Sequence, residues 1–277
     1  MPVTTGTYFS LSENSLPGKL PIILLHGAGG NHLCWPIELR RLAGHRVLAL
    51  DLPGHGRSPG VAQHTIEAYG KAVRDFLDAL GIYRAVLVGY AMGGAIAQWL
   101  ALEHPSLVAG LGLISTGAYL GVPEGLLEDL SNPLTYQESL DRLRSLMVGP
   151  QTTAEQAGTC MQMLKEVRPG VFYGDWSASE EFDLRQVVSK IEAPTWVAVG
   201  SDDRLTPLSY ANFLASRIRT ATLQVIPGTG HMIIFEKPEA LAQGLTELLE
   251  RVTRYESKPA TRQRRPRHTE DGPAGSY

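Results

Sequence analysis

The sequence predicts an α/β protein in which helices flank a mainly parallel sheet and a helical segment interrupts the core. Three observations carry this prediction. Short apolar runs alternate with helical patterns along the chain, as in parallel strands connected by helices. Several of these runs end at glycine-rich or polar turns, and one long block, residues 117–183, breaks the alternation. A chain of 277 residues has room for one large domain with an insertion.

The strand-like segments are continuous apolar runs, which indicate strands buried on both faces of a sheet. In chain order we predict strands at 21–25, 47–50, 85–88, 111–114, 194–199 and 222–226. Apolar residues follow helical spacing between Thr65 and Gly81, and Gly81 is a typical helix stop. Further helices are predicted at 92–103 and 238–251.

The block at 117–183 favours helices but is punctuated by prolines, at positions 123, 133, 150 and 169. An ordinary crossover between two strands is much shorter. We therefore predict a helical cap over the carboxyl ends of the strands, where open α/β sheets bind their ligands. The resulting division is a core of residues 1–116 and 184–252, a cap of residues 117–183 and a tail of residues 253–277.

Composition argues against several function classes. Apolar residues make up 43% of the chain and charged residues 19%, and the net charge of −3 predicts neither a nucleic-acid nor a membrane-surface protein. No apolar run approaches the roughly 18 residues that span a bilayer, and the N-terminus lacks the pattern of a secretory signal. Cys34 and Cys160 have no metal or redox spacing. We expect a cytoplasmic protein without a metal site.

The C-terminal segment differs from the rest of the chain. Residues 251–277 hold seven basic and three acidic side chains, and the stretch from 257 onward is rich in Arg, Pro and Gly with few apolar residues. Such a composition predicts disorder, because it cannot bury enough apolar surface to fold. We expect a solvated tail here rather than a nucleic-acid-binding segment.

The most informative motif is Gly89-Tyr90-Ala91-Met92-Gly93-Gly94, which follows a predicted strand. It has the outline of the nucleophile elbow G-x-S-x-G, in which a strand turns sharply into a helix and presents a serine above the sheet. Alanine stands at the nucleophile position, so the chain has no hydroxyl there for a covalent step.

An acid and a base follow in the order that this topology requires, nucleophile, acid and histidine. Asp202 and Asp203 come after one predicted strand, and His231 comes after the next. On loops at one edge of the sheet, either aspartate could orient the histidine, and the histidine could act as a general base.

Together these segments resemble α/β-hydrolase-fold enzymes of the esterase, lactonase and cofactor-free haloperoxidase-like group. The resemblance covers residues 21–249, and five motifs in the right order make it specific. The matching motifs are His26-Gly27-Ala28-Gly29-Gly30, Asp51-Leu52-Pro53-Gly54-His55-Gly56-Arg57-Ser58, the elbow at 89–94, Gly200-Ser201-Asp202-Asp203 with Thr206-Pro207, and Gly230-His231-Met232.

The resemblance implies roles for individual residues. It selects Asp203 over Asp202 as the acid, since the family places the acid three residues after the glycine. It implies that the backbone N–H groups of Ala28 and Met92 form the oxyanion hole, and that no metal or cofactor is needed. In this family's loop, a histidine at the place of His55 is usually structural.

The side chains that line a substrate pocket are harder to predict from sequence. Trp35, Met147 and Trp176 are candidates for an acyl pocket, and each could equally belong to the core. The sequence indicates neither the substrate's acyl chain nor the oligomeric state.

Three explanations compete for Ala91. The first is a substitution of serine by alanine made to trap substrate without turnover. The second is a natural pseudoenzyme that keeps the pocket for binding, and the third is chemistry that needs His231 without a covalent intermediate. The retention of Asp203, His231 and the glycine-rich loops favours the first, since a chain long freed from catalysis has no chemical need for all of them.

The function that follows is hydrolysis of carboxylic esters, with small-molecule esters or lactones, including acyl-homoserine lactones, as substrates. A serine at position 91 would form the triad with His231 and Asp203. The alternatives are a non-catalytic ligand-binding protein and a haloperoxidase-like or C–C hydrolase activity on the same residues.

Overall fold

A computed structural model describes residues 3–257 of the chain, with the backbone alone at positions 160 and 161. Eight strands form one sheet. The strands are β1 (Val3–Thr4), β2 (Thr7–Glu13), β3 (Ile22–Leu25), β4 (Arg46–Leu50), β5 (Ala85–Tyr90), β6 (Val108–Ile114), β7 (Thr195–Gly200) and β8 (Ala221–Ile226).

Ten α-helices of the described residues accompany the sheet. They are α1 (Ile37–Arg40), α2 (Ile66–Ala79), α3 (Met92–Glu103), α4 (Leu126–Ser131), α5 (Tyr136–Met147), α6 (Ala154–Glu166), α7 (Pro169–Glu180), α8 (Leu208–Arg217), α9 (Ile233–Glu236) and α10 (Pro238–Glu256). None of the helices within residues 3–257 is both long and apolar enough to cross a membrane.

The sheet has the order β1-β2-β4-β3-β5-β6-β7-β8. Strands β3 to β8 pair in parallel, and β1 and β2 add an antiparallel edge. The predicted fold class, a mainly parallel sheet flanked by helices, is confirmed. Strand β2 was not predicted, because its residues alternate between apolar and polar and form no continuous apolar run.

The two faces of the sheet carry separate apolar cores. Helices α2 and α3 cover one face, where Tyr69, Phe76 and Leu100 are fully buried. Helices α1 and α10 cover the other, where Leu39 and Leu245 are fully buried in one apolar cluster with residues of β3 and β5. Because helices cover both faces, all residues of β3 and β5 are buried, which explains their unbroken apolar sequence.

Four helices, α4 to α7, lie between β6 and β7. Their residues Leu126, Leu143 and Phe172 belong to a third apolar cluster, which also contains Leu205 and Met232. We refer to residues 117–183 as the cap. Helix α10 continues to Glu256, so residues 253–256 belong to that helix and not to the tail that the sequence predicts. The remainder of the predicted disordered tail, residues 258–277, lies outside the described residues.

Candidate active site

The elbow at position 91 has a strained backbone. Ala91 joins β5 to α3 with φ 49° and ψ −116°, a conformation that residues other than glycine rarely adopt. The turn is pinned on both sides, because the N–H of Ala91 donates to the Ile114 carbonyl (3.0 Å) and its carbonyl accepts from the Thr116 hydroxyl (2.8 Å). The structure therefore maintains a strained turn that presents only a methyl group.

The glycines of the elbow are required by close packing. A Cβ on Gly89 would collide with the carbonyl of Gly93, and a Cβ on Gly93 would collide with the carbonyl of Leu25. Backbone atoms cannot move aside as a flexible side chain can, so a side chain at either position would displace the elbow. The elbow is thus seated directly against the end of β3.

Asp203 and His231, the predicted acid and base, meet at the same edge of the sheet. Asp203 follows β7 and His231 follows β8, and Nδ1 of His231 lies 3.0 Å from Oδ2 and 3.1 Å from Oδ1 of Asp203. Both side chains are buried. The Asp203 carboxylate also accepts hydrogen bonds from the N–H of Leu205 (3.0 Å) and from the N–H and hydroxyl of Thr206 (2.8 Å each).

These contacts keep Asp203 ionised. Burial by itself raises the pKa of Asp203, but the adjacent His231 and the hydrogen bonds from His231 and Thr206 outweigh burial and hold the pKa below its usual value. A carboxylate on Nδ1 fixes the proton on that nitrogen, which leaves Nε2 of His231 as the nitrogen that can accept a proton. The neighbouring Asp202 is exposed and bonds to Ser201 instead.

His231 lies against the residue that precedes Ala91. The rings of Tyr90 and His231 are 5.2 Å apart between centroids, and the Tyr90 hydroxyl donates to the His231 carbonyl (3.2 Å). The loop that carries His231 is held by Glu236, which accepts from the N–H of Gly230 (2.7 Å) and from the hydroxyl of Thr152 on the cap (2.7 Å). The loop that carries His231 is thus held from both the core and the cap.

The loop after β3 runs past the methyl group of Ala91. A Cβ on Gly27 would lie 3.1 Å from Cβ of Ala91, and Ala28 is the next residue. Met92 is the first residue of α3, where backbone N–H groups lack a partner within the helix. Ala28 therefore follows the glycine that contacts Ala91, and Met92 follows Ala91 in the chain.

A small apolar cavity of about 30 Å³ lies beside the elbow. Its lining includes Gly27, Ala28, Tyr90, Met147, Met163 and Phe235. Of the three residues proposed for the acyl pocket, Met147 lies here. Trp35 packs into the core on the α10 face of the sheet, and Trp176 packs edge-on against Phe172 in the cap (6.1 Å between centroids).

Sequence reasoning missed Asp175 and Glu236, two buried carboxylates that hold the loops around the site. Neither belongs to a motif, and the partners of Asp175 lie more than a hundred residues away, so no local signal marks it. Within residues 3–257, no cluster of three or more His, Cys, Asp and Glu side chains could hold a metal ion.

Comparison with known proteins places this geometry in a family. Residues 21–238 match the α/β-hydrolase fold family. The chain belongs to that family. This α/β-hydrolase is 30% identical over 255 residues to a provisionally named carbamate hydrolase, RutD, of Variovorax paradoxus (strain S110), with 84% of this chain and 92% of the relative covered.

Two solved structures extend the comparison. A thermophilic esterase from Thermogutta terrifontis, with malate bound, superposes with a TM-score of 0.80 at 25% identity, covering 89% of this chain and 93% of the esterase. Est816, described as an N-acyl homoserine lactone degrading enzyme, superposes with a TM-score of 0.75 at 26% identity, covering 87% and 96%. The chain is therefore similar to hydrolases of several related substrate types.

Proposed function

We propose that this α/β-hydrolase scaffold hydrolyses carboxylic esters or lactones through a serine nucleophile at position 91, with His231 as general base and Asp203 as its orienting acid. The chain with Ala91 is then the nucleophile-deficient form of that enzyme. The observation that carries the proposal is the strained backbone of Ala91 next to the buried Asp203–His231 pair.

Strain is the reason that this observation is informative. A non-glycine residue at positive φ costs on the order of 1–3 kcal/mol, and such conformations persist where the surrounding structure imposes them. An alanine gains nothing from this conformation, whereas a serine there would project its hydroxyl out of the turn. The turn at Ala91 is thus suited to a nucleophile that the residue itself does not supply.

With serine at position 91, each step has a residue to perform it. His231 takes the hydroxyl proton while the serine oxygen attacks the ester carbonyl, and the N–H groups of Ala28 and Met92 stabilise the negative charge on the carbonyl oxygen. His231 then gives its proton to the leaving alkoxide, and water releases the acyl group by the same route. The proton returns to the serine, so the cycle needs no metal or cofactor.

Esters and lactones suit this mechanism equally, because opening a lactone differs only in that the leaving alcohol stays attached to the acyl group. Similarity to an esterase and to a lactone-degrading enzyme supports both substrate types. The 30 Å³ apolar cavity beside the elbow favours a small acyl group unless the methionines that line it move.

The test is hydrolysis by Ala91→Ser beside the parent chain, with p-nitrophenyl esters of graded acyl length and a set of acyl-homoserine lactones. Loss of the nucleophile lowers kcat on the order of 10⁶-fold in a serine protease, so we expect a gain of several orders of magnitude. The double variant Ala91→Ser/His231→Ala is the control for chemistry at the triad. A folded Ala91→Ser protein without activity on any substrate would overturn the proposal.

Ala91 itself favours a second candidate, a protein that binds an ester-like ligand without cleaving it. Calorimetric titration of the parent chain with the same esters separates the two candidates. Binding by the parent chain with no hydrolysis by Ala91→Ser supports the binding protein. Binding by the parent chain with turnover by Ala91→Ser supports the hydrolase.

A further inference from the structure

A buried carboxylate of the cap, Asp175 on α7, lies outside the proposed triad and joins three segments of the core. Its side chain is fully buried. It accepts hydrogen bonds from the N–H of Gly29 (2.7 Å), from Nε2 of His55 (2.7 Å) and from the hydroxyl of Tyr69 (2.5 Å). Three donors around one carboxylate indicate that Asp175 is ionised.

The hydrogen-bond partners of His55 indicate that it is the matching cation. Its Nε2 faces the Asp175 carboxylate, and its Nδ1 faces the carbonyl of Pro53 (3.1 Å). Both partners are acceptors, so both ring nitrogens carry protons and the ring is an imidazolium. Asp175 and His55 therefore form a buried ion pair between the cap and the core.

A second buried histidine shows that this assignment depends on the partners. The ring of His26 lies 4.7 Å from that of His55, and its Nε2 accepts from the N–H of Leu52 (3.0 Å) while its Nδ1 donates to the Gly27 carbonyl (2.8 Å). One donor and one acceptor fit a neutral ring. Two adjacent histidines thus hold different charges.

The loop that carries Ala28 is pressed against the cap. Gly29 has a φ of +68°, and a Cβ there would lie 2.9 Å from the ring of Phe172 and 3.2 Å from the side chain of Val167. Both contacts belong to the cap. With its N–H bonded to Asp175, Gly29 is held between the end of β3 and helix α7.

Asp175 belongs to a buried face of α7. Val171, Gly174, Asp175 and Ala178 are buried at the spacing of a single helical face. A Cβ on Gly174 would lie 2.6 Å from Cβ of Ala62, so the helix and the core loop approach closely. The cap is thus docked on the core through this face.

The geometry points to Asp175 as a positioning residue that holds the proposed oxyanion loop in place when the cap is docked. The inference rests on the proposed function, because the donor that it positions is the N–H of Ala28, one residue before Gly29. An oxyanion donor is effective only when it is held in the place where the charge develops. Docking of α7 and assembly of the oxyanion hole are then one event, and cap opening releases the loop.

Kinetics of Asp175→Asn in the Ala91→Ser background test this inference. Asparagine keeps the volume but removes the charge and one acceptor oxygen. We expect kcat to fall about 10- to 100-fold while KM changes less than about threefold, because the lost contact serves the transition state. Ser179→Ala is the matched control: Ser179 is buried one turn further along α7, and among residues 3–257 its hydroxyl bonds only to the Asp175 carbonyl. An Asp175→Asn effect no larger than that of Ser179→Ala would overturn the inference.

A second variant separates positioning from stability. Asp175→Asn leaves the His55 cation without its counter-ion, whereas Asp175→Asn/His55→Gln is neutral. We expect the double variant to recover thermal stability and to keep the low kcat, since the N–H of Gly29 still lacks a carboxylate. Recovery of kcat together with stability would show that Asp175 only stabilises the fold, and the inference would then be wrong.

A measurement without catalysis keeps this test independent of the proposed function. In the parent chain with Ala91, nuclear magnetic resonance should show both ring nitrogens of His55 protonated at neutral pH. The Gly29 amide proton should move upfield in Asp175→Asn but not in Ser179→Ala. A neutral His55 or an unchanged Gly29 amide overturns the inference. Absence of hydrolysis by Ala91→Ser, with these signals as expected, overturns only the proposed function.

Discussion

Two of the buried carboxylate–histidine pairs, Asp203–His231 and Asp175–His55, differ in what the second ring nitrogen of the histidine contacts. In Asp203–His231 the carboxylate holds Nδ1, and we assign Nε2 to the proton transfers at position 91. In Asp175–His55 the carboxylate holds Nε2, and the Pro53 carbonyl occupies Nδ1. His231 thus has one ring nitrogen, Nε2, that Asp203 does not occupy, whereas both ring nitrogens of His55 are bound to acceptors. In the function that we propose, the same two residue types act as a general base and its orienting acid in one place, and they join the cap to the core in the other.

The first prediction concerns activity and has the largest expected effect. In the Ala91→Ser background, Asp203→Asn should lower kcat by about 10⁴-fold, as loss of the orienting carboxylate does in serine proteases. Asp202→Asn is the matched control, because Asp202 is exposed and, within the described residues, its carboxylate accepts a hydrogen bond only from Ser201. Steady-state kinetics on one ester suffices. Equal losses in the two variants would contradict the assignment of Asp203 as the acid.

The second prediction concerns stability, to which we expect the Asp175–His55 pair to contribute more than the Asp203–His231 pair. His55→Ala leaves the Asp175 carboxylate buried without its counter-ion, which we expect to lower the free energy of unfolding by about 3–5 kcal/mol. His231→Ala should cost less, because Asp203 retains three other donors, from Leu205 and Thr206. Urea denaturation of both variants of the parent chain measures the difference. A larger loss for His231→Ala would mean that His55 is not a cation in the folded state.

The difference between the pairs also explains what could be predicted from the sequence. Asp203 and His231 stand in motifs whose order along the chain carries information, so both could be proposed from the sequence alone. His55 was expected to be structural only by resemblance, and its partner Asp175 lies 120 residues away in the cap. A contact at that separation leaves no local pattern in the sequence. The cap also lacks the alternation of strands and helices from which the position of Asp175 could be inferred.

Pocket residues were harder to predict for a related reason. Met147, Trp35 and Trp176 are all large and apolar, and apolar character alone does not say which cavity or core a side chain joins. The contact of the end of α5 with the loop after β8, where the Met147 carbonyl accepts from the N–H of Met232 (3.1 Å), accompanies the placement of Met147 in the cavity beside the elbow. The elbow itself is a local feature, so its turn at Ala91 was predictable.

The third prediction uses the pH dependence of stability to distinguish the charged His55 from the neutral His26. Burial alone lowers the pKa of His55, but Asp175 and its hydrogen bond outweigh burial and raise it. The stability that His55 contributes is therefore fully present below the unfolded-state pKa of about 6.5 and is lost as pH rises through the raised pKa. Relative to His55→Gln, the parent chain should lose up to about 1.4 kcal/mol per pH unit above pH 6.5.

His26 should instead affect the stability of the protein at acidic pH. Burial and the charge of His55 lower the pKa of His26 to about 4. Protonation then favours the unfolded chain, so stability falls as pH drops from about 6.5 toward 4. Urea denaturation from pH 4 to 9 measures both effects. A His55→Gln profile parallel to that of the parent chain above pH 6.5 would contradict the ion pair.

The fourth prediction removes one neutral donor from each pair and has the smallest effect. Tyr69→Phe deletes the hydroxyl that bonds to Asp175, and Thr206→Val deletes the hydroxyl that bonds to Asp203. Each carboxylate keeps its other donors, so we expect each variant to lose about 1–2 kcal/mol of unfolding free energy. In the Ala91→Ser background only Thr206→Val should also shift the acid limb of the kcat profile toward higher pH, because a carboxylate with fewer donors holds the His231 proton more strongly. A matching shift in Tyr69→Phe would place Asp175 in the proton transfer itself. The proposed difference between a catalytic Asp203–His231 pair and a structural Asp175–His55 pair would then be wrong.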